Sequence, residues 1–213
     1  AAGADGCPAR KEFVVKSIQN NLFSKMTIGF AATNLAQATW IFTGPTTPAI
    51  APFATGVKRA KNYDQCAEGP GSQSPCTATT NTAVMTALDG TASAATATAV
   101  TAPIMATYIQ ATLRYVNKMD KDIAGGAATA AWKNQGEGWG FSLVIADSLS
   151  NENAATIDGL YNLASRNTAS DNYCTAFDAI TSDPLYEADD VGTLNEELAS
   201  TTGGTADAPD CSP

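Results

Sequence analysis

Two acidic residues stand where helical spacing predicts a buried apolar side chain. Glu137 lies on the same helical stripe as Phe141. Asp120 continues a stripe that contains Leu113 and Val116. A buried carboxylate must be protonated, paired or bound to a cation, because its charged form loses hydration. We therefore predict that the two acids face each other across consecutive helices and form the floor of a ligand site, with a metal as the leading occupant.

The oxygen ligands of the chain decide which metals such a site would suit. The chain contains no histidine, which excludes imidazole metal sites, a histidine proton shuttle and a serine-hydrolase triad. Carboxylates, phenolates and backbone carbonyls remain, and these hard donors suit Fe(III), Ca²⁺, Mn²⁺ and Mg²⁺. Tyr115 lies close to Asp120 in the sequence, and its phenolate would favour ferric iron over calcium. We predict iron, Fe(III) before Fe(II), as the metal.

A cationic stripe runs beside these acids. Arg114 and Lys118 share a helix face about a quarter of a turn away, where they could hold carbonate or bicarbonate as a co-ligand of the metal. Arg114 could equally pair with Glu137 or Asp120. We take Arg114 and Lys118 as candidate anion-binding residues.

Glu12, in the first turn of the predicted N-terminal helix, could supply a third carboxylate from the opposite wall. It could equally favour the helix dipole and pair with Lys16. The candidate metal ligands are Glu137, Asp120, Tyr115 and Glu12.

An enzyme could use the same acids. A glycosidase needs two carboxylates across a cleft, and Asp120 with Glu137 could meet that need. Trp132 and Trp139 would then stack on sugar rings, although their seven-residue spacing also fits core packing. We favour a non-enzymatic binding protein. A carbohydrate-active or wall-modifying enzyme and a structural wall protein without a ligand are the alternatives.

Three glycines alternate through the helix that contains Glu137, at positions 136, 138 and 140. Each costs about 1 kcal/mol against alanine inside a helix, roughly 3 kcal/mol together. Close approach of a neighbouring helix or of a ligand would offset that cost. Their spacing matches neither a dinucleotide-binding nor a phosphate-binding loop.

The spacing of apolar residues predicts an all-α fold, a single bundle-like domain with long loops that is stapled by disulfides. Gly29 is expected to kink or split the first helical run, and Gly44-Pro45 to stop it. Pro103 is expected to open the central helix.

The main seam is expected along 9–43, 103–124 and 127–149. The predicted helices are 9–43, 53–64, 81–89, 103–124, 127–149, 153–166, 171–181 and 187–199. The predicted organisation is N-terminal helices over 8–43, a loop-rich insert over 44–102, central helices over 103–166 and an acidic segment over 167–213, within one domain over 1–213.

The charge of the chain is concentrated near its C-terminus. Of its 21 acidic residues, eight follow position 182, and no Lys or Arg accompanies them, so the net charge of −9 belongs largely to that segment. Such a surface repels phosphate backbones, which argues against nucleic acid as a partner. The most apolar long run, 26–42, is interrupted by polar residues and indicates a buried helix, not a membrane span.

The cysteines indicate an oxidising, extracytoplasmic location. Cys66 and Cys76 bracket a hydrophilic loop rich in Gly, Pro and Ser, which a disulfide commonly closes. Cys174 and Cys211 could attach the acidic segment to the body, which leaves Cys7 over, although other pairings stay open. Ala1 is interpreted as a mature end left after processing.

Three segments together show a family resemblance. The run 110–120 (QATLRYVNKMD), the run 135–141 (QGEGWGF) and the segment CPARKE at 7–12 resemble the low-iron-inducible periplasmic proteins of green algae. Some members of that family are known as high-CO2-inducible extracellular proteins. The resemblance implies a secreted, non-enzymatic protein that assists iron assimilation, with the cell-surface iron uptake machinery as a possible partner. It assigns Asp120 and Glu137 to iron, with Tyr115 and Arg114 near them.

Overall fold

The computed structural model describes residues 6–46, 48–69, 71–183, 186, 191–195, 209 and 211. A π-helical segment, Ser17–Leu22, joins the first two α-helices. Short 3-10 segments occupy Pro48–Ile50 and Ala146–Ser148. The α-helices of this part of the chain are α1 (Gly6–Lys16), α2 (Phe23–Ala31), α3 (Leu35–Thr43), α4 (Pro52–Asn62), α5 (Thr79–Leu88), α6 (Ala94–Ala124), α7 (Ala128–Ile145), α8 (Asn151–Tyr161) and α9 (Asn172–Thr181).

The all-α, disulfide-stapled fold is confirmed. Cys66 is bonded to Cys76, and Cys174 of α9 is bonded to Cys211. Over the described residues the only β-type pairing is an isolated bridge between Cys66 and Ala78. None of the helices described combines the length and apolar character needed to cross a bilayer.

The long helix α6 begins earlier than expected. It starts at Ala94, where Ser93 accepts a hydrogen bond from the backbone N–H of Thr96 at 3.1 Å and so caps the helix. The prediction that Pro103 opens the helix was wrong, because Pro103 lies inside it. A proline inside a helix costs about 3 kcal/mol, through a lost hydrogen bond and a steric clash. The buried side chains of Val100 and Ile104 lie on both sides of Pro103 and hold the helix through it.

The N-terminal helical run breaks at a different place from the one predicted. Gly29 lies inside α2, which ends at Ala31, so the prediction of a break at Gly29 was wrong. After a short turn, Asn34 caps α3 by accepting a hydrogen bond from the backbone N–H of Gln37 at 3.1 Å. Gly44, in the left-handed conformation with φ 56°, ends α3 as predicted.

Several other boundaries differ. The segment 44–102 contains α4, α5 and the first turns of α6, so it is more helical than the loop-rich insert expected there. Helix α8 ends at Tyr161, five residues before the predicted end at 166. The helix predicted over 187–199 lies mostly outside the described residues.

The core is centred on α6, which packs most extensively against α7 and also against α2, α4, α5 and α9. One cluster of buried side chains extends from α2 and α3 through α5, α6 and α7 to α8 and α9. Its largest fully buried members are Tyr63, Tyr108, Tyr161, Phe42, Ile104, Ile109, Leu113, Ile145, Ile180 and Leu194.

The first helices turn an unexpected side to the core. The seam was expected along 9–43, but Val14, Ile18 and Leu22, which are apolar residues of that run, are 50%, 58% and 51% exposed. The buried side of the same run instead contains small or polar residues, including Ser24 and Thr27. The predicted seam is present, because α1 packs on α7 and α2 packs on α6, but these three residues do not line it.

Close packing of α1 on α7 explains this orientation. A Cβ atom added at Gly136 would overlap the carbonyl oxygen of Ala9. One added at Gly140 would lie 2.5 Å from Cβ of Lys16. Backbones this close leave no room for large side chains directly between the helices, so Val14 lies on the outer side of α1. The close approach of α1 to α7 thus offsets the helix-propensity cost of Gly136 and Gly140.

Candidate functional site

Asp120 is buried near the end of α6, and both of its carboxylate oxygens accept hydrogen bonds from α9. Oδ1 accepts from the side-chain amide of Asn172 at 2.6 Å, and Oδ2 accepts from the backbone N–H of Tyr173 at 2.9 Å. Burial raises the pKa of Asp120, and the hydrogen bonds from Asn172 and Tyr173 oppose the rise. The bond from Tyr173 satisfies a backbone N–H at the start of α9 that has no partner inside the helix. Asp120 therefore joins two helices.

Glu137 is also buried, but its partners belong to α6 and α7. Lys133, one turn earlier on α7, places its Nζ 3.5 Å from Oε1 of Glu137. The side chains of Glu137 and Tyr115 are hydrogen-bonded to each other. Burial raises the pKa of Tyr115 well above its ordinary value, and the negative charge and hydrogen bond of Glu137 raise it further. The phenol of Tyr115 is therefore protonated at neutral pH and donates to the carboxylate.

The two acids do not share a partner, and helix geometry explains why. Tyr115 and Asp120 are five residues apart on α6, which corresponds to a rise of about 7.5 Å and a rotation of about 140°. Because Tyr115 contacts Glu137, Asp120 points from α6 in a different direction and at a different level. Ligands of one metal lie within about 2–2.6 Å of it, so their oxygens must converge on a single point. The two acids thus have different partners in this structure, and the expectation that they line one pocket stays a prediction.

Glu12 and Glu137 both contact Lys133, which lies between their carboxylates. The Nζ atom of Lys133 is 3.9 Å from Oε1 of Glu12 as well as 3.5 Å from Oε1 of Glu137. The structure thus pairs Glu12 with Lys133, whereas the sequence offered Lys16 as its partner. Lys16 instead lies with its Nζ 6.0 Å from the centre of the Phe141 ring. The acidic side chains of α1 and α7 meet at one ammonium group.

Arg114 and Lys118, the cationic residues predicted to hold an anion, belong to α6. The guanidinium carbon of Arg114 is 5.4 Å from the centre of the Tyr115 ring. Lys118 is half-buried one turn further along α6. A second arginine, Arg59 of α4, is buried nearby, and the positive charges of Arg59 and Arg114 both lower the pKa of Tyr115 against the larger effect of burial.

Sequence reasoning missed Lys133 and Arg59. Lys133 had a signal, since it precedes Glu137 by four residues and so lies on the same helix face. Arg59 had none, because only the packing of α4 on α6 brings it to Tyr115.

The two tryptophans and the acid that a glycosidase would use already contact other residues of the protein. Trp139 stacks on Phe13 with ring centres 4.2 Å apart, and its indole N–H donates to Asp158 at 2.9 Å. Trp132 is buried, with the guanidinium of Arg166 4.2 Å from its ring centre. With Asp120 bonded to α9, the arrangement favours packing over sugar recognition.

Two other places could be considered for ligands. Cys66, Glu68 and Cys76 form the one group of three potential metal ligands of the His, Cys, Asp and Glu types within the described residues. The two sulfurs are joined in a disulfide and offer no thiolate, so this group does not fit a metal. A cavity of about 370 Å³ opens beside Asp120 and the start of α9, with Lys121, Asp171 and Tyr173 in its wall.

Comparisons of this chain with protein-family models, with curated proteins and with solved structures found no match. The resemblance to algal low-iron-inducible proteins therefore stays a prediction from the sequence.

Proposed function

We propose that this protein binds ferric iron outside the cytoplasm and assists its assimilation, with Glu137, Tyr115 and Glu12 as the ligands. The proposal rests chiefly on the ammonium group of Lys133, which lies between the carboxylates of Glu12 and Glu137. A positive charge already occupies the point on which two acids converge. A metal cation that replaced it would find oxygen donors on two sides.

The donor set suits iron in its ferric state. Two carboxylates and a phenolate are hard oxygen ligands, and together they supply three negative charges. Tyr115 must lose its proton to become a ligand, which its burial disfavours in the protein alone. A trivalent cation compensates that charge better than a divalent one, because its Coulomb attraction for the phenolate is greater.

The part played by Lys133 follows from its exposure. Its side chain is 49% exposed, so its charged end can move into solvent when a metal binds. Glu137 is largely buried and keeps its position through α7. Lys133 would thus balance the two acids in the metal-free protein and leave them when iron arrives.

Asp120, the other residue assigned to iron by the sequence, is excluded from this proposal. Both of its oxygens accept hydrogen bonds from the start of α9, which explains its burial without a metal. Carbonate or bicarbonate bound by Arg114, with Lys118 on the same face, stays the proposed co-ligand. Such an anion would fill coordination positions that three protein oxygens leave open.

The cellular setting is proposed on chemical grounds as well as on the resemblance. Two disulfides in the chain are compatible with an oxidising compartment. The cell-surface iron uptake machinery is the partner that the resemblance suggests.

Spectroscopic titration with ferric nitrilotriacetate tests the proposal. A phenolate bound to Fe(III) produces a visible charge-transfer band, which we expect in the wild-type protein together with stoichiometric iron by elemental analysis. Tyr115→Phe should lose the band, and Glu137→Gln should weaken binding about tenfold or more. Asp120→Asn is the matched control and should keep both the band and the stoichiometry.

Two results would contradict the proposal. Absence of stoichiometric iron from the wild-type protein, with bicarbonate present, would leave Glu137 and Lys133 as a structural ion pair. A band that survives in Tyr115→Phe and disappears in Asp120→Asn would move the site to the end of α6.

A further inference from the structure

The first helices expose a row of large apolar side chains. Val14, Ile18 and Leu22 follow one another at intervals of one turn, and each is at least half exposed. Cys7, also exposed, lies two turns before Val14 on the same side of α1. We call these residues the outer α1 face. Scattered apolar residues are common on protein surfaces, but a continuous row on one helix side marks a contact surface.

The opposite side of the helical run does not explain this row, because it is small and polar. Asn20 and Thr27 are buried there, and each donates a side-chain hydrogen bond to a backbone carbonyl of its own helix. The more apolar side of this stretch is therefore turned outward. Full burial of a side chain of this kind contributes about 1.5–3 kcal/mol, and each of the three, being half exposed, would gain roughly half of that when covered.

The π segment helps to keep the row in line. It spans Ser17–Leu22 and contains Ile18 and Leu22. A π-helix turns less per residue than an α-helix, so two residues four apart lie nearly above one another in it. Further along the same exposed side lies Gly29 of α2, where an added Cβ would meet nothing within 4 Å in its own chain.

Cys7 indicates what covers this face. The other four cysteines are joined in the Cys66–Cys76 and Cys174–Cys211 disulfides, so the chain has no other cysteine free to pair with Cys7. An exposed odd cysteine beside an apolar row fits a partner with a thiol at the matching position. A second copy of this chain supplies that thiol and an identical apolar row together.

We propose that the outer α1 face is the interface of a homodimer, in which two α1 helices lie side by side and parallel and Cys7 bonds to Cys7 of the partner subunit. A two-fold axis parallel to the helices brings each residue opposite its own equivalent, so Val14, Ile18 and Leu22 pair with themselves. Lys11, between Cys7 and Val14, and Lys25, three residues after Leu22, are exposed on the same side of this run, where their aliphatic stems can pack in the contact while their ammonium groups reach solvent.

The dimensions of the run suit such an interface. The helical stretch from Gly6 to Ala31 is about 39 Å long at 1.5 Å per residue. A parallel pair of this length approaches the roughly 800 Å² per partner that a stable dimer buries. The open space at Gly29 lets the far ends of the two helices approach closely.

The disulfide forms by exchange with an oxidised low-molecular-weight thiol. One Cys7 thiolate attacks the small disulfide and releases one reduced small thiol. The second Cys7 thiolate then attacks the mixed disulfide and releases the other. Two protein thiols become one disulfide, and their two electrons and two protons leave on the two released thiols.

The test uses the full chain treated with oxidised glutathione, followed by non-reducing electrophoresis, light scattering and mapping of the linked peptide. We expect a covalent dimer joined through Cys7. Cys7→Ser should lose the link but remain a reversible dimer. Ile18→Glu should weaken dimerisation about tenfold or more and slow cross-linking, because it puts two facing carboxylates into the contact. Ile18→Leu and Ala99→Glu, the latter at an exposed position of α6, should behave like the wild-type chain.

Other outcomes would overturn the proposal. A wild-type chain that stays monomeric and ends with glutathione on Cys7 has no such interface. Equal cross-linking of Ile18→Glu and wild type would show that Cys7 reacts without help from the apolar row. A monomer that binds anionic lipid vesicles and loses binding in Ile18→Glu would assign the face to a membrane surface instead.

Discussion

Asp120 near the end of α6 accepts a hydrogen bond from the backbone N–H of Tyr173 at 2.9 Å, across 53 positions of sequence. It thereby does what a local cap does for other helices. Asp171, which precedes α9, makes no side-chain capping bond of its own. The acid that the sequence marks as anomalous is therefore explained by the start of another helix.

Replacing Asp120 should destabilise the fold. Asp120→Ala leaves the N–H of Tyr173 without its acceptor and removes one of the two acceptors of the Asn172 amide, and we expect a loss of about 2–4 kcal/mol in the free energy of unfolding. Urea denaturation measures it. Asp147→Ala is the control, because Asp147 makes an exposed ion pair with Lys25, worth at most about 1 kcal/mol. Equal losses in both variants would show that the Asp120 bonds add nothing.

The spacing of apolar residues predicted the helices of this fold but not which side of each helix is buried. The stripe around Ile109 and Leu113 is buried as expected, because α6 is surrounded by other helices. On α1 the same kind of pattern points outward, since α7 approaches its small side through Gly136 and Gly140. A pattern of spacing states which residues share a side, and only the neighbouring helix decides which side is covered.

The same limit applies to the candidate site: spacing predicted which acids are buried but not which residues contact them. Helical spacing placed Glu137 inside the protein, and it is buried there. The partner of Asp120 could not be found, because α9 reaches it from more than fifty residues away. The start of α6 was missed because Pro103 resembles a first-turn proline when the packing of Val100 and Ile104 around it is unknown.

The glycines of α7 provide a test of the close approach of α1. Gly136→Ala should lower the free energy of unfolding by about 1–3 kcal/mol, because the new methyl group meets the backbone at Ala9. Gly159→Ala in α8 is the matched control, since an added Cβ there meets nothing within 4 Å. The control should gain up to about 1 kcal/mol from helix propensity. If both substitutions stabilise, α1 does not lie as close to α7 as described.

Buried tyrosines should make the fold sensitive to alkali. Burial raises the pKa of Tyr173 to about 12, and it also raises the pKa values of Tyr108 and Tyr161. An unfolded tyrosine has a pKa of about 10, so the folded protein holds these protons more tightly. Their contribution to stability is complete below about pH 10 and is lost as the pH rises through 12.

Absorbance of ionised tyrosine, followed together with circular dichroism, measures this effect. The buried phenols should ionise in the same transition in which helix content is lost. Tyr161→Phe should remove one phenol from that transition and also lose the hydrogen bond from Tyr161 to the carbonyl of Thr112. Ionisation of every tyrosine near pH 10 with the helices intact would contradict the burial described.

Lys133 offers the sharpest test of the iron site. Its ammonium group lies 3.9 Å from Glu12 and 3.5 Å from Glu137, so it competes with any cation for the same oxygens. Lys133→Met keeps the aliphatic stem and removes the charge. We expect it to bind ferric iron about tenfold more tightly, a gain of about 1.4 kcal/mol, measured by competition against nitrilotriacetate. Lys25→Met, which frees only the exposed Asp147, should leave the affinity unchanged.

Acidity should weaken iron binding in both proteins. The carboxylates and the phenol have to be deprotonated to coordinate the metal, so the affinity must fall with the pH. Lys133→Met keeps all three ligands and should therefore bind more tightly than the wild type at neutral pH and lose that binding in acid. A variant that binds iron less tightly than the wild type at neutral pH would mean that Lys133 is part of the site and not its competitor.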